Sequence, residues 1–159
     1  MSADAPLLLD DPDATAALAD RLAPALRPGD ALLLEGPIGA GKTHLARALI
    51  GALQRAAGEV AEEVPSPSFT LIQTYRAGPL EIRHVDLYRL SDPGEVVELG
   101  LDDGAGVLSL IEWPDRLGDL RPADALTLRL GFAEADTARH LTLIPRGPRG
   151  AALAAHARG

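Results

Sequence analysis

The 159-residue chain has no cysteine and no asparagine, a single lysine (Lys42), and few aromatics: one Trp, two Tyr and two Phe. Without cysteine, disulfides and thiolate metal sites are excluded, and a reducing compartment suits the chain. So few aromatics leave little on which single-stranded bases could stack. No apolar run approaches the ~20 residues of a membrane span, and the acidic N-terminal stretch lacks the basic and apolar regions of a secretory signal. Cytoplasm, with no membrane partner, is therefore the expected location. Positive charge is also in short supply. Lys and Arg number 15 against 23 Asp and Glu, a formal net charge of −8, which argues against the chain gripping a phosphate backbone by itself, although Arg146 with Arg149 would make a local basic patch. The length fits one domain, able to bury roughly 70% of the surface of its unfolded chain.

What is present is concentrated in Ala31 to Arg47. Gly36 to Thr43, Gly-Pro-Ile-Gly-Ala-Gly-Lys-Thr, fits the phosphate-binding pattern G-x-x-x-x-G-K-[ST] without a mismatch. By chance that pattern arises in roughly one chain in a few hundred. Leu32 to Leu34 suit a buried central strand, and the glycines leave loop amides free to face one oxyanion cluster. Leu45, Leu49, Leu53 and Ala56 recur at helical spacing, so the loop delivers a phosphate to a helix N-terminus. Lys42 would reach the β and γ phosphates, and Thr43 would place its hydroxyl on Mg²⁺. A chain that otherwise writes arginine has kept a compact ammonium here, which suits a phosphate as a point charge.

Along the rest of the chain, Leu7 to Leu9 reads as a short edge strand, and Asp11-Pro12 as the start of a helix with the stripe Ala14, Leu18, Leu22 and Leu26. The helix after the glycine loop stops near Gly58. Thr70 to Tyr75 and Leu80 to Tyr88 read as an antiparallel hairpin beside the glycine-loop strand, punctuated by Ala77-Gly78-Pro79. Asp92 and Pro93 begin a short helix that Gly100 ends. Gly106 to Ile111 is an apolar run closed by Glu112. Leu126 to Leu130 and His140 to Ile144 alternate as a second pair of strands. The expected architecture is α/β: one domain over residues 1–145 with a mixed central sheet flanked by helices. Residues 146–159, rich in Ala, Gly and Arg, read as a tail or a weak helix at best.

A phosphate cradle with one hydroxyl holds Mg²⁺ poorly, so a carboxylate at the end of a neighbouring strand is expected. Glu112 has that position and Asp86 is a second candidate; which of them dominates stays open. Ser66, Ser68 and Thr70 supply hydroxyls on a loop placed as γ-phosphate-sensing loops are, or make an ordinary Ser/Pro turn. Trp113 reads as a core aromatic or a wall of the nucleotide site. His84 reads as a packed or hydrogen-bonded histidine rather than a metal ligand. Arg89 and Arg116 are candidate phosphate contacts or solvated ion-pair partners.

Taken in order, Gly36 to Thr43, Ser66-Pro67-Ser68-Phe69-Thr70, His84 to Arg89, Leu99-Gly100 and Ile111-Glu112-Trp113-Pro114 resemble the TsaE family, from about Thr15 to Arg139. The resemblance implies a single P-loop NTPase domain, Mg²⁺-dependent ATP binding and weak ATP hydrolysis by the chain alone. It also implies work with TsaD and TsaB proteins in forming threonylcarbamoyladenosine at adenosine 37 of tRNA, with tRNA met indirectly through them. It further implies that the ATPase resets the TsaD–TsaB pair between turnovers. By motif match, Lys42, Asp86 and Glu112 are catalytic, and Thr43, Glu112 and Asp86 face the metal. Gly36, Pro37, Ile38, Gly39, Ala40, Gly41, Lys42, Thr43 and His44 hold the nucleotide, with Ser66, Ser68, Thr70, Trp113 and Arg139, and Thr15 resembles an adenine contact. Ser68 stands where the family commonly has Thr, and Asp136-Thr137 where it commonly has Gly-Arg. The rivals are a small-molecule or nucleotide kinase, for which no arginine-rich lid is visible in the sequence, and a nucleotide-gated module that does not hydrolyse. A GTP switch is disfavoured because N-K-x-D requires an asparagine.

Overall fold

The computed structural model describes residues 5–65, 71–90, 94–98 and 106–159. Among them seven strands form one sheet, β1 (Leu7–Leu9), β2 (Ala31–Glu35), β3 (Ile72–Ala77), β4 (Leu80–Asp86), β5 (Val107–Glu112), β6 (Ala125–Phe132) and β7 (Arg139–Arg146). The spatial order is β1-β7-β6-β2-β5-β4-β3. β6, β2, β5 and β4 run parallel, and the outer strands β1, β7 and β3 are antiparallel to their neighbours. β2 is therefore central, as its run of three leucines demands: Leu32 and Leu34 face one side, Leu33 the other, and all are fully buried.

Among the described residues there are four α-helices: α1 (Pro12–Leu22), α2 (Lys42–Ala56), α3 (Gly94–Glu98) and α4 (Gly147–Arg158). Asp11 caps α1, its carboxylate accepting from the Ala14 amide at 2.9 Å with proline in the first turn, as the Asp-Pro signal predicts. The larger core packs Leu18 and Leu22 of α1, Leu45 and Leu49 of α2 and Leu153 of α4 on Leu32, Leu34, Leu110, Leu126 and Leu128 of the sheet. A smaller core on the opposite face gathers Leu33, Val85, Leu87, Ile111 and Leu117.

Two expectations are corrected. The β3–β4 hairpin exists, but β5 lies between it and β2. The physical reason is burial: all six residues of β5 are buried, so it takes an interior position, whereas β3 exposes Thr74 and Arg76 as an edge strand does. The Ala/Gly/Arg-rich C-terminal stretch is a 12-residue helix, α4, docked on β6, β7 and α1. Its apolar face is thin, and close approach holds it instead: a Cβ at Gly150 would run into the carbonyl oxygen of Ala125. Arg149 donates to buried Asp30 at 2.7 and 2.9 Å and to the carbonyl of Ala25. The proposed basic patch of Arg146 and Arg149 is thus half spent on an internal ion pair. Arg149→Ala leaves Asp30 without its cation and is expected to lower unfolding stability by about 3 kcal/mol, read from urea titration; a loss under about 0.5 kcal/mol would contradict that role. The Asp92 helix start, Leu99-Gly100 and the hydroxyls of Ser66, Ser68 and Thr70 lie outside the described residues.

Candidate functional site

Parallel register assembles the site at the carboxyl ends of the strands. Leu34 is paired with Glu112 between β2 and β5, and Asp86 with Glu112 between β4 and β5, so both acids emerge beside the glycine loop. The loop turns sharply, with Gly36, Gly39 and Gly41 at φ of 148°, 83° and 105°. At Gly36 a Cβ would also lie 2.7 Å from the Leu130 carbonyl oxygen, so only glycine lets the loop leave the sheet this close to β6. Gly41 then sets the amino end of α2 against a cavity of about 350 Å³ lined by Lys42, Thr43, Asp86, Tyr88, Glu112 and Trp113, together with Ile38, Gly39, Gly41 and His44.

Within that cavity the Thr43 hydroxyl donates to the Glu112 carboxylate, 2.9 and 3.0 Å from its two oxygens. Glu112 is 2% exposed, and its Oε2 is also 2.7 Å from His84 Nε2. Lys42, at 5% exposure, donates from Nζ to the carbonyls of Gly36 at 2.6 Å and Pro37 at 3.0 Å. Its ammonium lies 4.1 Å from the centroid of the Trp113 ring, which packs at 5.0 Å against Tyr88. Burial pushes the Lys42 ammonium below the ordinary lysine range, and the charges of Glu112 and Asp86 oppose that push. Asp86 accepts the Tyr88 amide at 2.9 Å. Trp113 is left-handed, at φ 60° and ψ 53°, an uncommon setting for a bulky residue that costs about 1–3 kcal/mol and is compatible with its place at the site.

A second cavity of about 240 Å³ adjoins the first through Gly41 and His44 and contains Thr15, Ala40, Asp11 and Arg139. Arg139 supports the loop from behind, donating to the carbonyl of Ala40 at 3.1 Å. Thr15, on α1, is thus brought to within one cavity of the loop although 21 or more residues separate them in sequence. Pro37 lies on the far side of the loop in a separate recess with Glu35, Trp113 and Arg129. There Glu35, the last residue of β2, accepts from Arg121 at 2.6 Å and Arg129 at 2.9 Å. Burial alone would raise its carboxyl, but the two arginines hold it below the ordinary 4.5. Arg89 and Arg116 line neither cavity. Sequence reasoning missed Tyr88 and the Glu35 clasp; it read His84 as packed or hydrogen-bonded, as it is, without naming Glu112 as the partner.

Lys42, Thr43, Glu112, Asp86, Trp113, Gly39 and Gly41 therefore line one cavity. Whether they fit a magnesium ion is a matter of donor chemistry. A threonine hydroxyl has one hydrogen, spent here on Glu112, so its lone pairs remain for a cation. Among the described residues no three His, Asp or Glu groups form a metal cage; magnesium is ordinarily held by one or two carboxylates together with substrate phosphates, and Glu112 and Asp86 are the carboxylates this cavity holds.

Strand, glycine loop and helix in this succession, at the centre of a sheet of this order, put the chain in the P-loop NTPase fold class. The comparisons with known proteins narrow the class. The family model described as "Threonylcarbamoyl adenosine biosynthesis protein TsaE" matches residues 9–141. The tRNA threonylcarbamoyladenosine biosynthesis protein TsaE of Bacillus subtilis is 36% identical over 142 residues, covering 87% of this chain and 84% of that protein. Its counterpart in Rickettsia bellii is 36% identical, with coverage of 81% and 88%. For the Rickettsia felis protein of that name, 43% identical, the match spans 69% of this chain but only 62% of the relative's length. A crystal structure of Bacillus subtilis YdiB superposes with a TM-score of 0.74 at 29% identity, covering 96% of this chain and 93% of that one. The chain belongs to the TsaE family. Among the described residues no helix is long and apolar enough to cross a membrane.

Proposed function

We propose that the chain is a Mg²⁺-dependent P-loop ATPase that supports threonylcarbamoyladenosine formation at adenosine 37 of tRNA, working with TsaD-like and TsaB-like proteins and resetting that pair between turnovers. The observation that carries the ATPase reading is the Thr43–Glu112 hydrogen bond at the mouth of the glycine loop. It joins the amino end of α2 to the carboxyl end of β5 at the place where a phosphate-bound cation belongs. Thr43 and Glu112 would hold magnesium, with Asp86 beside them, and the ion would supply charge neutralisation on the β and γ phosphates.

The protein's own groups do the rest. Loop amides and the α2 amino end bind phosphate oxygens. Lys42 has three donor hydrogens, now shared between two carbonyls, and phosphate is the stronger acceptor for a charged donor. Asp86 orients the attacking water, and Trp113 with Tyr88 walls the cavity. The second cavity, with Thr15 and Arg139, is assigned to the adenine end. The family match over 9–141 favours this reading over a kinase. The net charge of −8 supports tRNA contact through the partners rather than through this chain.

The test is calorimetric ATP binding, with and without Mg²⁺. Thr43→Ala is expected to weaken the magnesium-dependent affinity by about tenfold, ~1.4 kcal/mol, and to leave metal-free affinity unchanged, while Thr43→Ser retains both. An unaltered magnesium dependence in Thr43→Ala would remove the hydroxyl from the metal role.

A further inference from the structure

His84 is fully buried on β4, between Ile82 and Asp86 on the face toward α2, where an apolar side chain would pack at no polar cost. It spends one ring nitrogen on Glu112: Nε2 lies 2.7 Å from Oε2. An ionised carboxylate only accepts, so Nε2 carries the hydrogen. Nδ1 has no partner among the described residues. A bare lone pair there is less costly than a stranded N–H, which agrees with the same placement of the hydrogen. Among the described residues the imidazole thus reaches one polar group, Glu112.

The two partners of Glu112 differ in kind. Thr43 stands in the first turn of α2, and its hydroxyl rotates freely about its own C–O bond. His84 belongs to a strand paired on both sides, in register with Leu110 on β5 and Gln73 on β3. The strand-borne imidazole is therefore the fixed reference for the carboxylate plane. We infer that His84 is a positioning residue: its Nε2–H pins Oε2 of Glu112, so that Oε1 and the Thr43 hydroxyl present a preset pair of oxygens to the cation that accompanies the phosphates. The inference rests on the magnesium–ATP reading above. Partners of this kind set metal affinity through orientation, and their loss typically costs about 10–100-fold.

Two amides separate this role from simple packing. The side chain of His84→Gln reaches as far as Nε2 and restores an N–H toward Glu112, whereas that of His84→Asn ends near the position of Nδ1 and falls short. Mg²⁺ is titrated into each full-length variant with a non-hydrolysable imido analogue of ATP, and the metal concentration at half-saturation is read beside the metal-free affinity and the thermal midpoint. His84→Asn is expected to raise the magnesium requirement about tenfold with metal-free affinity held within about twofold, and His84→Gln to recover to within about threefold of the unsubstituted chain. An unshifted requirement in His84→Asn, or equal shifts in the two amides, would overturn the inference. If the Asn variant does not fold, a folded Gln variant with a tenfold higher requirement overturns it as well. Analogue binding that ignores Mg²⁺ in the unsubstituted chain would instead sink the magnesium reading, and this inference with it.

Discussion

Lys42→Ala is expected to lower ATP affinity by about 100-fold. A charged hydrogen bond contributes about 1.5–3 kcal/mol, and the ammonium is placed to give one or two of them to the β and γ phosphates. The side chain is almost wholly buried against the loop it serves, so water does not replace it readily. Its present partners, the carbonyls of Gly36 and Pro37, are neutral and lie on the same loop, so exchanging them for phosphate needs only a rotation of the lysine stem. Arginine should not rescue the loss, because a longer, planar fork does not reproduce the compact point charge that Nζ places beside the loop carbonyls. Since Lys42 is the sole lysine, an amine-reactive probe should label its ε-amine and saturating ATP should protect it. Unchanged affinity in Lys42→Ala would remove the phosphate-binding role from the loop.

Glu112→Ala is expected to cut ATP hydrolysis by at least about 100-fold while leaving part of the binding, since loop amides and Lys42 remain. The substitution takes the acceptor from two donors at once, the half-buried Thr43 hydroxyl and the fully buried His84 Nε2. Glu112→Gln preserves the shape but not the charge, so it should bind nucleotide more normally and hydrolyse as poorly. Single-turnover measurement separates the two effects. Hydrolysis retained in both variants would move the metal role to Asp86, which stands opposite Glu112 in the sheet register.

The parts of this site that are local in sequence were legible there. The leucine run, the glycine spacing and the helical stripe after Thr43 each obey a short-range rule, and an apolar strand ending in Glu112 is such a signal too. What depends on strand order was not. His84 meets Glu112 only because β4 and β5 pair in parallel, 28 residues apart, and no periodicity within His84 to Arg89 announces that partner. The placement of the hairpin failed for the same reason: a hairpin signal says which strands pair, not what is inserted beside them. α4 was obscured differently. Its sequence offers chiefly Leu153 as a large apolar residue, and its docking relies on Arg149 with Asp30, Arg21 with the Ala157 carbonyl and a glycine-sized contact, all set by partners more than 100 residues away or on another element.

The central claim is tested most directly by ATP hydrolysis with Mg²⁺, measured for the purified chain alone and after adding TsaD and TsaB proteins from the same source. The expected result is slow turnover by the chain alone and a marked rise with the pair, both removed by Glu112→Ala and accompanied by modification of added tRNA. Tight Mg²⁺–ATP binding with no hydrolysis in either condition would contradict it and leave a nucleotide-gated module in its place.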